Sequence, residues 1–268
     1  MMTRHPRTAI PTSIVMRTAS ALAFGLLLHA GIAAAQSSIG APGCQGDIST
    51  PRSIWRPAAA THVIQEFSES VLLAVPAGIS TVTVELWGAG GGGGGGSAET
   101  YSVGGAGGGG GASGAYTRAT IAVQPGKTYA LVVGVGGHGG NGGSHAAGGE
   151  DGGASSVCDG QTVLVNAPGG GGGKAAQNNN TRGLGGQGRM AESSDSAPSA
   201  LRRRGNDGSV GQDPLFEAAG TGGPGAHRVP GSVEPAGSFG GDGGAGESRP
   251  DPAGGGRPGG AGGVIVSW

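Results

Sequence analysis

Charged, aromatic and histidine side chains are all scarce in this chain of 268 residues. Charged residues make up 12 % of the sequence and aromatic residues 4 %, and 6 residues are histidine. Acid–base catalysis and metal binding depend on converging histidine and carboxylate side chains. His138 and His145 lie in a glycine run, where polar residues are expected simply to face outward. The sequence therefore predicts no metal ion, no cofactor and no enzyme activity.

Two catalytic motifs are incomplete. The run GGGGGKAA around Lys174 is like a phosphate-binding loop, but Ala175 follows the lysine where Ser or Thr would bind magnesium. The sequence around Ser238 lacks the first glycine of a nucleophile elbow, since Ala236 stands there. Neither motif supports an enzyme.

Beyond the first 35 residues, no apolar run is long enough to span a membrane. Those 35 residues have a basic start, an apolar stretch at 21–28 and small residues at 33–35, as a secretory signal peptide does. A retained membrane anchor is the alternative, but the apolar stretch is short for one. Cleavage would leave 13 basic against 17 acidic side chains, because the leader holds three arginines and no acid. That balance argues against a nucleic-acid-binding protein, and we expect a secreted or cell-surface protein, with the periplasm as a further location.

Cysteine is nearly absent as well, since Cys44 and Cys158 are the only two. In an oxidising compartment they could form a disulfide, which would stabilise the fold by about 4 to 5 kcal/mol in the chain-entropy model. The sequence alone leaves this pairing open.

Glycine is the abundant residue, with 65 positions against a usual share of about 7 %. Such a composition is typical of disordered low-complexity chains. Here, however, the glycines have a period of three. In VGGHGGNGGSHAAGGEDGG (135–153) every third position holds a residue other than glycine: His138, Asn141, Ser144, Ala147 and Glu150. The same spacing recurs near 106–112, 239–245 and 258–264.

A period of three fits neither an α-helix nor a strand. It is the period of a left-handed threefold helix, which rises about 3.1 Å per residue and has no internal hydrogen bonds. Two bare glycines per turn would let such polyglycine II helices pack side by side and bond through their backbones. The third residue would then face outward.

The remaining segments predict an all-β base, a small β-sandwich or jelly-roll-like fold. Strands are predicted at about 63–75, 81–87, 115–123, 129–135, 162–166 and 264–268, most of them running directly into or out of glycine. Pro125 and Gly126 predict a type II turn between two of them. The domain division is a signal peptide at 1–35, a poorly ordered leader segment at 36–62 and a glycine-rich domain at 63–268. A loop insertion is predicted at about 174–237.

Four stretches resemble the glycine-rich domain of many bacterial and phage proteins: VPAGISTVTVELWGAGGGGG, GAYTRATIAVQPGKTYALVVGVGG, VLVNAPGGGGG and GGAGGVIVSW. Similar layers of glycine helices occur in T-even-like bacteriophage tail-tip adhesins and in the glycine-rich domain of anaplastic lymphoma kinase type receptors. The resemblance covers roughly 75–268 and implies packed polyglycine II helices and long loops. In the adhesins, variable loops between the glycine helices recognise the receptor.

Loops are therefore the candidate ligand-binding sites, because loops carry function on rigid scaffolds. The candidate residues are Tyr101, Asn179, Arg182, Arg203, Phe216 and His227. A mobile insertion without function is the alternative for 174–237.

The expected function is that of a secreted structural or adhesive protein. Its loops would bind a cell-surface glycan or protein receptor, or mediate self-association, with no nucleic acid as partner. The alternative is a disordered glycine-rich matrix or cell-wall-associated protein, and less favoured still is an enzyme accessory domain.

Overall fold

The computed structural model describes these residues: 44, 54–55, 63–98, 103–177, 181–191, 196–214, 225 and 252–268. They belong to one compact unit within 39–268. The predicted signal peptide, 1–35, lies outside the described residues. Within the described ranges, none of the elements is a helix with the length and apolarity needed to cross a membrane.

The described residues form two five-stranded sheets and no helix, which confirms the all-β prediction. In spatial order the first sheet contains β1 (Ile54–Trp55), β3 (Val71–Ala74), β6 (Thr128–Val132), β7 (Ser155–Asp159) and β8 (Thr162–Ala167). The second contains β2 (Ile64–Phe67), β10 (Gly263–Ser267), β4 (Thr81–Trp87), β5 (Tyr116–Ala122) and β9 (Leu201–Arg203). Neighbouring strands are antiparallel except β1 and β3, which are parallel.

The apolar core lies between the two sheets. Strand alternation turns Val82, Val84 and Leu86 of β4 inward, where each is at most 2 % exposed. Leu131 of β6 and Val157 of β7 meet them from the opposite sheet in the same apolar cluster. The sheets thus form a small sandwich with an ordinary side-chain interior.

The segment 63–75, which was predicted to supply at least one strand, contains two. The chain bends at 68–69 and places β2 in the second sheet and β3 in the first. The alternation of apolar residues continues across the bend, because Phe67 and Val71 both face the shared core. A period-two pattern therefore could not reveal the change of sheet.

The segment 36–62 was predicted to be poorly ordered, but two short parts of it are placed in the fold. Ile54 and Trp55 form β1 and pair with Leu72 and Leu73 of β3. Further upstream, Cys44 forms a disulfide with Cys158 of β7. The segment is therefore attached to the outer part of the first sheet at two points.

Eight glycine-rich tracts follow or precede the strands. In chain order they are tract 1 (88–97), tract 2 (104–115), tract 3 (134–143), tract 4 (147–153), tract 5 (168–177), tract 6 (181–190), tract 7 (204–213) and tract 8 (253–262). They contact one another mainly through backbone hydrogen bonds. Together we call the described tracts the glycine layer.

Tract 1 shows how the layer is bonded. Its ten consecutive N–H groups donate in strict rotation to tracts 2, 4 and 8, so that each neighbour receives every third one. Gly91, for example, donates to Ala112 at 2.9 Å, Gly92 to Glu150 at 2.9 Å and Gly93 to Arg257 at 2.9 Å. A backbone whose donors return to the same side after three residues has threefold symmetry. The period of the sequence is thus also the period of the hydrogen bonds.

The loop predicted at 174–237 is wrong over much of its length. Within this interval tracts 6 and 7 belong to the glycine layer, and β9 pairs with β5. In tract 7 only one residue in three is a glycine that faces the layer, namely Gly205, Gly208 and Gly211. The other residues of an outer tract face away, so they can be polar or charged, and this makes the tract look like a loop.

Outward-facing residues follow the predicted phase in tract 3, where His138, Asn141 and Ser144 are exposed. Tract 2 differs, because Ala106 and Ala112 occupy the same phase and are 0 % exposed. Tract 2 lies inside the layer, bonded to tracts 1, 5, 6 and 7. The side chain at every third position therefore faces outward only in the peripheral tracts.

Candidate functional site

The tracts alternate in direction, and this gathers their connections at one end of the layer. Tract 1 leaves β4 and tract 2 returns to β5, and tracts 3 and 4 and tracts 5 and 6 repeat this course away from the sheets and back. At the end remote from the sheets, Ser97 donates to Ala106 at 2.9 Å and forms a parallel bridge with Gly143. We call this the distal end. The connections that start and finish there are 98–103, 144–146, 178–180 and 214–252.

Few of the predicted loop residues are among those that the structure describes. Four lie outside the described residues: Tyr101, Asn179, Phe216 and His227. By chain position, all four belong to connections that start and finish at the distal end. Arg182 is described, and its guanidinium bonds to the Asp213 carboxylate at 3.2 Å where tracts 6 and 7 reach that end. Both side chains are about half exposed.

Arg203 is in a different place from the other candidates. It lies on β9, the edge strand of the second sheet, with its guanidinium 5.8 Å from the centre of the Tyr116 ring. The Tyr116 ring packs against that of Trp87, with the ring centres 5.0 Å apart and the planes tilted by 50°, and its hydroxyl donates to the Glu85 carboxylate at 2.6 Å. Burial, together with this bond to the Glu85 carboxylate, raises the pKa of Tyr116 above its usual range. Arg203 therefore belongs to a packed cluster on the outer face of the second sheet.

The glycine run before Lys174 has no free donors for a phosphate at its core. The N–H groups of Gly170, Gly171 and Gly173 donate to Ala89, Gln187 and Gly92, respectively. Gly172 donates to the Asp151 carboxylate at 2.9 Å. Because a phosphate-binding loop needs such N–H groups to converge on the ligand, this run has a structural role in tract 5.

Two carboxylates substitute for missing backbone acceptors in the layer, and neither was predicted from the sequence. Asp151 accepts from Gly172 and also pairs with Arg189, and Asp207 accepts from Gly188 at 2.7 Å and from Arg204 at 2.7 Å. Burial would raise the pKa of Asp151, but the Gly172 N–H and the Arg189 guanidinium outweigh it and lower that pKa. The one available signal was position: Asp151 stands where the period of three would place a glycine.

No cluster of three His, Cys, Asp or Glu side chains within the described ranges is arranged to hold a metal ion. The described histidines are exposed, and His145 has its Nδ1 3.1 Å from the Ser144 hydroxyl. The distal end thus presents small polar groups and a few charges on a backbone support.

Fold and site together define an all-β protein in which a small sandwich carries a layer of bonded glycine tracts. The model of the glycine-rich domain family matches residues 66–268, which is more than two thirds of the chain. The chain therefore belongs to the glycine-rich domain family. It matches no curated protein.

Proposed function

We propose that the tracts are polyglycine II helices and that the protein is a secreted structural or adhesive protein, without enzyme activity. The distal connections would bind a glycan or protein on a cell surface. The resemblance to phage tail-tip adhesins noted in the sequence supports this reading by analogy. No nucleic acid is expected as a partner.

The observation that carries the proposal is the convergence of four connections on one end of a bonded layer. Loops that differ freely in sequence bind ligands best when a rigid support fixes their ends. Here the support is backbone, and tracts 1 and 2 at its centre are buried along the whole of their described length. A connection can therefore vary without any change in the interior that holds it.

The φ angles support the polyglycine II assignment. Of the glycines that the structure describes, only Gly78, Gly126, Gly143 and Gly160 lie in the left-handed region. Three of these are in turns of the sandwich and one ends tract 3. The tract interiors therefore keep one sign of φ, as a left-handed threefold helix with φ of about −75° requires. A bonded layer of this kind also favours a folded protein over a disordered matrix.

The proposal is tested by measuring binding to glycan arrays and to cell surfaces. The distal variant replaces 144–146 and 178–180 with Gly-Ser linkers of equal length. The control variant changes Gln124 and Lys127 to serine at the opposite end of the sandwich. We expect the distal variant to lose binding that the wild type and the control retain. Equal binding by all three proteins, with unchanged melting temperatures, would contradict a role for the distal end.

A further inference from the structure

A groove runs along tract 5, between tracts 4 and 6. One cleft of about 400 Å³ is lined by Gly172 and Lys174 on the floor and Leu184 on the wall. A second cleft of about 530 Å³ is lined by Gly169 and Met190. Arg189 lines both clefts, so they meet end to end. From Pro168 to Lys174 the floor would extend about 19 Å at the rise of a threefold helix.

The groove marks an unfilled position beside tract 5. Tract 5 donates to tracts 1 and 6 and accepts from tracts 2 and 4, so four sides are bonded to other tracts. The C=O of one residue and the N–H of the next point in opposite directions across a planar peptide, so the carbonyl oxygens of Gly169 and Gly172 face away from tract 1 and their N–H groups face away from tract 2. These are two adjacent open sides. No residue that the structure describes donates to the two carbonyl oxygens. On the other open side Gly172 gives its N–H to a side chain, and the N–H of Gly169 has no partner in the described residues. These open backbone groups repeat every three residues, as do the groups of tract 5 that bond to the other tracts.

An ion pair lies across the groove at its middle. Asp151, at the edge of tract 4, accepts from Gly172 on the floor and pairs with Arg189 of tract 6. Its carboxylate thus takes the place that a carbonyl oxygen of another tract would have. Both side chains are about half exposed, and exposed ion pairs of this kind contribute little to stability. A ligand could therefore displace this pair at low cost.

The walls have the same period as the floor. Leu184, Gln187 and Met190 are three residues apart on tract 6, which places them about 9 Å apart in a threefold helix. Leu184 is 62 % exposed and Met190 is 56 % exposed. An extended peptide with a three-residue repeat would present the same side chain to each of them.

We propose that this groove binds an extended glycine-rich peptide with a three-residue repeat, which continues the backbone bonding of the glycine layer. The geometry rests on the threefold form of the tracts but not on secretion or on binding at the distal end. A proline in each repeat would favour the bound conformation in advance, because free peptides of this kind already populate the polyproline II form. The remaining N–H groups of the repeat would donate to Gly169 and Gly172.

The test measures the binding of a labelled peptide of five Pro-Gly-Gly repeats by fluorescence anisotropy. A peptide of the same composition in scrambled order is the control for the period. We expect the repeat peptide to bind at least about tenfold more tightly than the scrambled one. Equal affinities, or no binding of either peptide, would overturn the proposal.

Variants locate the binding site. Leu184→Trp and Met190→Trp each add bulk to one cleft, and we expect each to weaken binding by about tenfold or more. The matched control is Val135→Trp, which alters an exposed outward residue of tract 3 that does not line the groove. Melting temperatures identify any variant that fails to fold. If only one of the two groove variants folds, its affinity alone still tests the proposal. An equal loss of affinity in Val135→Trp would overturn the assignment to this groove.

Asp151→Ala tests the ion pair separately. Removing the carboxylate frees the N–H of Gly172 and the guanidinium of Arg189, so we expect the repeat peptide to bind about twofold to fivefold more tightly. Unchanged or weaker binding by a folded variant would contradict the inference that the ligand displaces the ion pair between Asp151 and Arg189. The distal variant with its two replaced connections should bind the peptide normally, which separates this proposal from the proposed adhesive function.

Discussion

At the residue scale, the layer depends on glycine, whose Cα carries a hydrogen atom where other residues carry a Cβ. A Cβ built on Gly140 would overlap the carbonyl oxygen of Ala147, and one on Gly139 would overlap that of Gly256. Both obstacles are backbone atoms, which cannot move aside as a flexible side chain can. Asn141, the next residue, is exposed and faces away from the layer. Neighbouring positions in one tract should therefore tolerate substitution very differently.

Gly140→Val and Asn141→Val form a matched pair for this difference. We expect Gly140→Val to lower the free energy of unfolding by about 3 kcal/mol or more, because overpacking here must push two backbones apart. Asn141→Val should change it by no more than about 0.5 kcal/mol, as is usual at exposed positions. Denaturant unfolding measures both values. Equal losses in the two variants would show that tract 3 is not packed as described.

The outward phase of tract 3 could be predicted from sequence, because a period needs no knowledge of the neighbours. The roles of Asp151 and Asp207 could not. Each carboxylate bonds to a glycine N–H about twenty residues away in sequence, in a tract that happens to lie alongside. The order of the strands in the sheets decides which tracts lie side by side. No local sequence pattern contains this information.

At the scale of elements, β4, β5, β6, β8 and β10 could be predicted because each is an apolar or alternating segment close to a glycine run. β7 was missed, since its sequence SSVCD buries residues on both faces and so shows no alternation. β9 is three residues long and pairs at the edge of its sheet. Tract 7 resembles a loop because only one residue in three is a glycine that packs against the layer. An element that contacts the rest of the fold through one face only has few constrained positions, so its structure is the hardest to predict from sequence.

Proline substitutions distinguish a threefold tract from other extended backbones at this scale. A threefold helix has φ near −75°, which proline adopts without strain. The N–H of Asn141 has no partner among the described residues, whereas that of Gly140 donates to Gly93 at 2.9 Å. We expect Asn141→Pro to fold with a melting temperature within a few degrees of the wild type. Gly140→Pro should be severely destabilised.

Differential scanning calorimetry measures both melting temperatures. Asn141→Ala is the control for the loss of the amide side chain, so any further change in Asn141→Pro reports on the backbone. Strong destabilisation by Asn141→Pro alone would be incompatible with polyglycine II geometry in tract 3.

At the scale of the whole molecule, the fold has two kinds of interior. Between the sheets, apolar side chains such as Val84 and Leu131 are buried in the usual way. In the glycine layer, tracts 1 and 2 are buried by other backbones. Ordering a residue costs about 1 to 2 kcal/mol, and a backbone hydrogen bond contributes about 1 kcal/mol net. A lone tract would therefore be unstable, and the strands are needed to hold the tracts together.

Amide hydrogen exchange tests this division directly. In tract 1 every N–H from Gly88 to Ser97 has a backbone partner, while in tract 3 the N–H groups of His138 and Asn141 have none among the described residues. Exchange follows the opening of hydrogen bonds, so we expect tract 1 to be protected as strongly as the core strands. His138 and Asn141 should exchange rapidly, whereas Gly137, just before His138, and Gly140, just before Asn141, should be protected. Uniformly fast exchange along tract 1, under conditions in which β4 stays protected, would mean that bare backbone does not serve this molecule as an interior.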